Sequence, residues 1–306
     1  IWQLNSLNAT RMVYTLGNGL VTEKTFDSNG YLSSIKTQKG SSVVQWNNYS
    51  FDAAKALLLS REDARTGYGL KETFSYDGLD RLTEWKIYKN SALQATYGMS
   101  YGGDKIFGKS DVGNYFYKGS STHRLDSVIT SGITGLATPA EQSVSYNEVN
   151  KINTITEGNN VLAITYGPDN QRVKTEFQQG GTVKTTRYYG GLYEAKQDAG
   201  QPLTGYYYIE GGDGIAAVVV SSNGNSTIYY VHKDHLGSIV CLTDASGAIK
   251  EQMSYDPWGR RRNPTDWSFN NVAQPTILAR GFTGHEHIDA FQLINMNGRV
   301  YDPVLG

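Results

Sequence analysis

The sequence predicts an all-β protein made of antiparallel β-hairpins, and three observations carry that prediction. The first is composition: 22 Tyr and 34 Gly stand beside only 7 Pro and 4 Met in 306 residues. Tyr favours strands, and Gly supplies the positive φ angles of tight turns. The second is an internal repeat. The pairs Phe26-Asp27, Phe51-Asp52 and Tyr76-Asp77 lie 25 residues apart, and Tyr101 follows at the same spacing with Gly102 in place of Asp. The third is alternation with a period of two on either side of the turns, the pattern of a half-buried strand.

Taken in order, the copies read as hairpins. Phe26-Asp27-Ser28-Asn29-Gly30-Tyr31-Leu32 and Tyr76-Asp77-Gly78-Leu79-Asp80-Arg81-Leu82 each place Asp at the turn entrance, with Asn, Asp or Gly inside. The Asp side chain caps such a turn, and Gly or Asn tolerates φ > 0. Residues 53–63 (AAKALLLSRED) have helical propensity, but they fall in repeat register after Phe51-Asp52 and are expected to be strand, because tertiary context overrides propensity. Tyr97, Met99 and Tyr101 share one strand face. Looser copies follow at Tyr146-Asn147, Tyr166-Gly167 and Tyr255-Asp256, with Leu162, Ile164 and Tyr166 on one face and Ile249, Glu251, Met253 and Tyr255 on another. Residues 119–142 and 262–280 read as long loops or insertions.

Composition also excludes several classes. Charged residues are 19% and the formal net charge is -1, without the Lys/Arg excess of a nucleic-acid footprint or a polybasic membrane anchor. The longest apolar runs, such as residues 215–220, are too short to span a bilayer. The start has no basic end followed by an apolar core, so no signal peptide is visible. With no initiator Met and an abrupt stop at Leu305-Gly306, the sequence is expected to be a piece of a longer chain. The single Cys241, set in Ile239-Val240-Cys241-Leu242, excludes an internal disulfide and reads as a buried strand residue.

Asp234-His235-Leu236-Gly237-Ser238, Tyr255-Asp256-Pro257-Trp258-Gly259-Arg260, Phe282-Thr283-Gly284-His285-Glu286 and the run Leu293 to Pro303 (LINMNGRVYDP) complete the pattern. The Tyr-Asp-x-x-Gly-Arg-Leu theme resembles the YD repeats of rearrangement-hot-spot (RHS) proteins, and residues 185–306 resemble the RHS-repeat-associated core, leaving residues 1–184 as YD-type hairpin repeats. This resemblance implies a spiralling strip of hairpins, and 306 residues of it are expected to make an incomplete shell. It implies a non-enzymatic scaffold that encloses and presents or releases a downstream toxin or effector segment. Its implied partners are its own upstream repeats and that C-terminal cargo, and its implied location is the medium or the cell surface of a bacterium. The alternatives are a surface adhesion module binding glycan or cell-wall material, and a self-cleaving aspartyl core in a longer parent. For that last activity the resemblance points to Asp289 and Asp302 as the carboxylate pair, with Arg299 to orient or charge-balance them. His287-Ile288 stands before Asp289 where the family commonly shows a single Arg.

Other motifs carry less. Residues 103–110 match the GxxxxGK[ST] phosphate-loop pattern, but the β-like, Gly-broken continuation Asp111-Val112-Gly113-Asn114 offers no helix to hold a phosphate. His232 with Asp234, and His285 with His287, would each share a strand face and could chelate a metal, yet two ligands rarely suffice. No cofactor and no metal site is assigned. No Gly-x-Ser-x-Gly elbow occurs. Tyr206-Tyr207-Tyr208 and Trp258 invite a carbohydrate reading, although repeated Tyr in strands more often packs across strands.

Overall fold

The computed structural model describes residues 1–119, 123–130 and 141–306. Within them the chain forms two long antiparallel sheets whose strands follow strict chain order. The first has 12 strands, from Trp2–Asn8 to Leu125–Thr130, and the second has 11, from Gln142–Tyr146 to Ile249–Gln252. Neither order closes on itself, as expected for a strip or partial shell. The expected loop over residues 119–142 is partly corrected, since Leu125–Thr130 is a strand paired with Gly113–Tyr117. Residues 120–122 and 131–140 of that stretch lie outside the described residues.

One turn design recurs along this wall and into the closing segment. Asp27, Asp77, Asn147, Asp234, Asp244 and Asp256 each accept two backbone N–H bonds on Oδ1, from the residues two and four positions on. The residue three positions on is left-handed in every copy: Gly30, Asp80, Asn150, Gly237, Gly247 and Gly259. Gly, Asn and Asp adopt that conformation at least cost, which is why they recur there.

Phe26, Phe51 and Tyr76, each just before its turn, sit at register shifts, opposite Leu32, Leu58 and Leu82 respectively. A bulge there leaves carbonyls poorly served by the ladder. The next repeat serves them: Tyr76 Oη donates to Leu58 O at 2.8 Å, Tyr101 to Leu82 O at 2.7 Å, Tyr117 to Ile106 O at 2.8 Å and Tyr166 to Ile152 O at 2.9 Å. Each acceptor is the residue opposite the previous repeat's aromatic. This explains why the position is so often Tyr.

Two sequence expectations need adjustment. Residues 53–57 form a longer turn, with Asp52 Oδ1 accepting the Ala54 and Lys55 N–H groups, and the strand is only Leu58–Asp63. Ile249 does not share a buried face with Met253 and Tyr255. A register shift next to Ile249 leaves it 41% exposed, while Met253 and Tyr255 enter the core. Tyr97, Met99 and Tyr101 do pack together, as do Leu162, Ile164 and Tyr166.

Beyond residue 252 regular structure thins to short strands and two single-turn helices, Phe282–Gly284 and Asp289–Phe291. Most of residues 262–280 is loop, as the sequence suggests. This closing segment nevertheless supplies hydrophobic residues to four of the five apolar clusters, and so forms the centre on which both sheets pack. Trp267 joins Leu70, Phe74 and Trp85 of the first sheet, and Phe291 and Leu293 join Ile155, Leu162 and Ile164 of the second. The fifth cluster joins the sheets directly, packing Tyr14, Leu16 and Val44 on Ala216, Ala217 and Tyr230. Beside it, Asn18 Nδ2 bonds Thr243 Oγ1 at 3.0 Å.

Candidate functional site

The chemistry of the molecule gathers where the closing segment meets the two sheets. On the first sheet the strand Leu70–Tyr76 places Glu72 in phase with buried Leu70 and Phe74, with no side-chain exposure at all. Its carboxylate pairs with Arg61 at 2.7 Å and with Arg262 of the closing segment at 2.8 Å. Arg262 also lies over the Trp267 ring, and Arg61 donates to Tyr255 O at 2.7 Å. Burial pushes the Glu72 carboxyl up, but Arg262 and Arg61 together outweigh it and hold the group below its ordinary range.

The second sheet is held in the same manner with the signs reversed in part. Glu286 of the closing segment meets Arg172 at 2.5 Å, Arg187 at 3.6 Å and the Tyr189 hydroxyl at 2.9 Å. Arg280 reaches Glu194, which also accepts from Tyr208 Oη at 3.1 Å.

Asp289 opens a single-turn helix, and its carboxylate pairs with Arg261. Burial raises its pKa, and Arg261 opposes the rise. Asp302 opens the last turn, with Oδ1 accepting the Val304 and Leu305 N–H groups at 2.8 and 3.1 Å. Burial raises its pKa as well, against those two N–H bonds, Lys109 and Arg260. One cavity is lined by Asp289 together with Arg260, Arg261 and His287, and by Pro303 and Val304 immediately after Asp302. Asp289, its side chain 40% exposed, borders this cavity, whereas Asp302 is not among its lining residues, and each aspartate answers to different cations. Arg299 is exposed in the turn before Val300–Tyr301, and the group its charge reaches is Tyr301.

The remaining candidates have other employment. Residues 105–109 of the phosphate-loop pattern are a strand, and Lys109 is buried with Nζ donating to Val304 O at 2.6 Å. His232 Nε2 bonds Thr243 Oγ1 at 2.9 Å, and burial lowers its pKa to about 4, whereas Asp234 caps its own turn. His285 Nδ1 bonds the Thr283 hydroxyl, and His287 Nε2 accepts the Phe282 N–H. Among the described residues no group of three or more His, Cys, Asp or Glu is placed to hold a metal ion. Cys241 is buried in its strand, and burial pushes its thiol up to about 12, so it is no nucleophile. Of the tyrosine run, Tyr206 and Tyr208 are core residues and Tyr207 faces outward, beside Tyr193 at 4.9 Å between ring centroids.

Sequence reasoning met Lys109 only as the lysine of the phosphate-loop pattern and Glu286 only within a family motif, and did not single out Glu72 or Glu194. For Glu72 a signal exists, a charged residue in the apolar phase of a strand. For Glu286 and Glu194 the partners lie too far along the chain to be named in advance.

The architecture is that of a shell-type β-strip. Among solved structures, the chain is similar to TcdB2-TccC3-Cdc42 (TM-score 0.78), to TcdB2-TccC3 (0.76) and to the Photorhabdus luminescens Tc holotoxin pore (0.66), each at 16% identity over 99% of this chain. At that identity the likeness carries the fold, in agreement with the strip implied by the RHS resemblance. The chain spans 17% to 18% of the length of those chains. No protein-family model and no curated protein sequence matches it. No helix among the described residues is long and apolar enough to cross a membrane.

Proposed function

We propose that the chain is a non-enzymatic structural scaffold, part of an RHS-type β-shell that encloses, and presents or releases, a toxin or effector segment. Its partners on this reading are upstream repeats of the same chain and the downstream cargo, and it works in the medium or at the cell surface. The observation that supports the reading is the closing segment, residues 253–306. It is gripped by buried ion pairs from both sheets, in a fold shared with TcdB2-TccC3. Limited proteolysis of the full-length parent tests it. A segment beyond residue 306 is expected to resist protease in the native protein and to become accessible with Glu72→Ala; free digestion in the native protein would refute enclosure.

Two observations favour second readings. Asp289 and Asp302 both carry carboxyl groups whose pKa desolvation raises, and the cavity that Asp289 borders is also lined by Pro303 and Val304, the residues that follow Asp302. On that reading Asp302→Asn leaves an extended parent uncut, and normal cleavage of this variant rules the pair out. Outward Tyr188 and Tyr207 offer faces to a sugar, the arrangement an adhesion module would use. Glycan binding by this chain that disappears in Tyr207→Ala would favour it over the scaffold.

A further inference from the structure

A corner of the closing segment holds more ionisable groups than its architecture requires. Three elements meet there: the end of strand Lys105–Lys109 with Asp111, the turn of residues 256–260, and the last turn, residues 302–306. Lys109 is buried, lies 5.0 Å from the Trp258 ring centroid and donates to Val304 O. Tyr115 Oη donates to Leu305 O at 2.8 Å. Arg260 stands 3.8 Å from Asp111. Asp256, 1% exposed, uses Oδ1 to cap its turn through the Trp258 and Arg260 N–H groups at 2.9 Å each. Its other oxygen, Oδ2, is buried and has no hydrogen-bond partner among the described residues.

A buried carboxylate oxygen without a donor is costly as an anion, and a proton on it removes the charge. We propose that Asp256 is a proton-controlled lock on the last turn: the neutral carboxyl keeps residues 256–260 and 302–306 docked on the first sheet, and losing its proton loosens this corner. The groups facing Asp256 are the cations Lys109, Arg260 and Arg262, the carboxylates Asp111 and Asp302, and the phenols Tyr97 and Tyr301. Burial outweighs Lys109, Arg262 and the two capping N–H bonds, so the carboxyl is pushed up to about 6. The sign follows from linkage. A folded-state pKa above the unfolded one means that docking is favoured at low pH and weakens as pH rises through the folded value.

Three carboxylates around one corner would, on a surface, simply face water and carry no such consequence. Here the last turn depends on the corner for two of its carbonyl contacts, Lys109 to Val304 and Tyr115 to Leu305. Loosening it therefore frees residues 302–306 while the Glu72 and Glu286 anchors stay in place.

The test is hydrogen exchange on the intact 306-residue chain, corrected for the intrinsic pH dependence of exchange. Between pH 5 and pH 7.5, amides of residues 256–260 and 302–306 are expected to lose protection about tenfold, the change that linkage gives for a carboxyl moved to about 6. Asp256→Asn keeps the capping oxygen and replaces the protonated one by an uncharged amide, and it should flatten that dependence. Lys109→Met removes an opposing cation and should move the midpoint to higher pH. Unchanged protection in the wild type over this range overturns the lock. So does an Asp256→Asn protein with the wild-type dependence, or a corner that opens on acidification.

Discussion

The hairpin wall of residues 1–252 and the closing segment of residues 253–306 both bury aromatic and aliphatic side chains, but they are fastened by different means. Within each sheet of the wall, strands that are neighbours in sequence are neighbours in space. A hairpin is held by its ladder, by an Asp or Asn over its turn and by a Tyr hydroxyl lent to the repeat before it. In the closing segment the decisive contacts join residues 86 to 195 positions apart, such as Arg280 to Glu194 and Lys109 to Val304. Local contacts are many, small and interchangeable. Long-range buried ion pairs are few, and removing one partner strands a charge.

The contrast can be broken most directly at Glu72. Glu72→Ala leaves Arg61 and Arg262 buried without their carboxylate and should cost about 3–5 kcal/mol in chemical denaturation. A loss no greater than that of a wall substitution would end the distinction. Acid should come next. His232 is buried and His235 half-buried, and desolvation lowers the pKa of each to about 4, so both are neutral. The unfolded chain takes up these protons near pH 6.5, so stability present above that value is lost as pH falls toward 4. Each site contributes up to about 3 kcal/mol, and His232→Gln should reduce the slope of stability against pH. This global trend runs opposite to the local one at Asp256, so the two are separable.

Smaller effects sharpen the wall side. Tyr76→Phe removes only the bond to Leu58 O and should cost about 1 kcal/mol, read as a shift in denaturation midpoint. A substitution of equal chemical size where the wall meets the closing segment, Tyr189→Phe, removes a bond to the buried Glu286 carboxylate and should cost more, about 1.5–3 kcal/mol. At the bottom of the scale, Lys55→Ala breaks a pair with Asp80 in which both side chains are about half exposed, and thermal unfolding should show no measurable change.

The same division explains what was legible in the sequence. Phe26, Phe51 and Tyr76 announce the wall because one local solution, aromatic–Asp–turn, recurs at fixed spacing, and all three occupy equivalent positions in the structure. The repeat also over-reached: residues 53–57 follow Asp52 in register but form a longer turn, since Asp52 caps the second and third residues after it instead of the second and fourth. The residues gathered at the closing segment left far less trace. Arg262 is one of three consecutive arginines, and nothing local says that it, buried, meets Glu72 while Arg260 meets Asp111 and Arg261 meets Asp289. Asp289 and Asp302 could be named from resemblance, but their separate cation partners required the fold. The sequence division at 184/185 falls inside the strand Thr182–Gly190, in the middle of a continuous sheet.

Strict chain order of the strands has a kinetic corollary. A strip whose every strand pairs with the one just made can grow on the ribosome from one end, hairpin upon hairpin, with little loop entropy to overcome at each step. Residues 253–306 emerge after both sheets, and their partners span the two. Assembly thus separates into fast sequential growth and a slow final docking, during which the apolar inner face awaits its cover. Substitutions at Glu72 or Glu286 should accordingly act on that last phase and leave the earlier ones untouched.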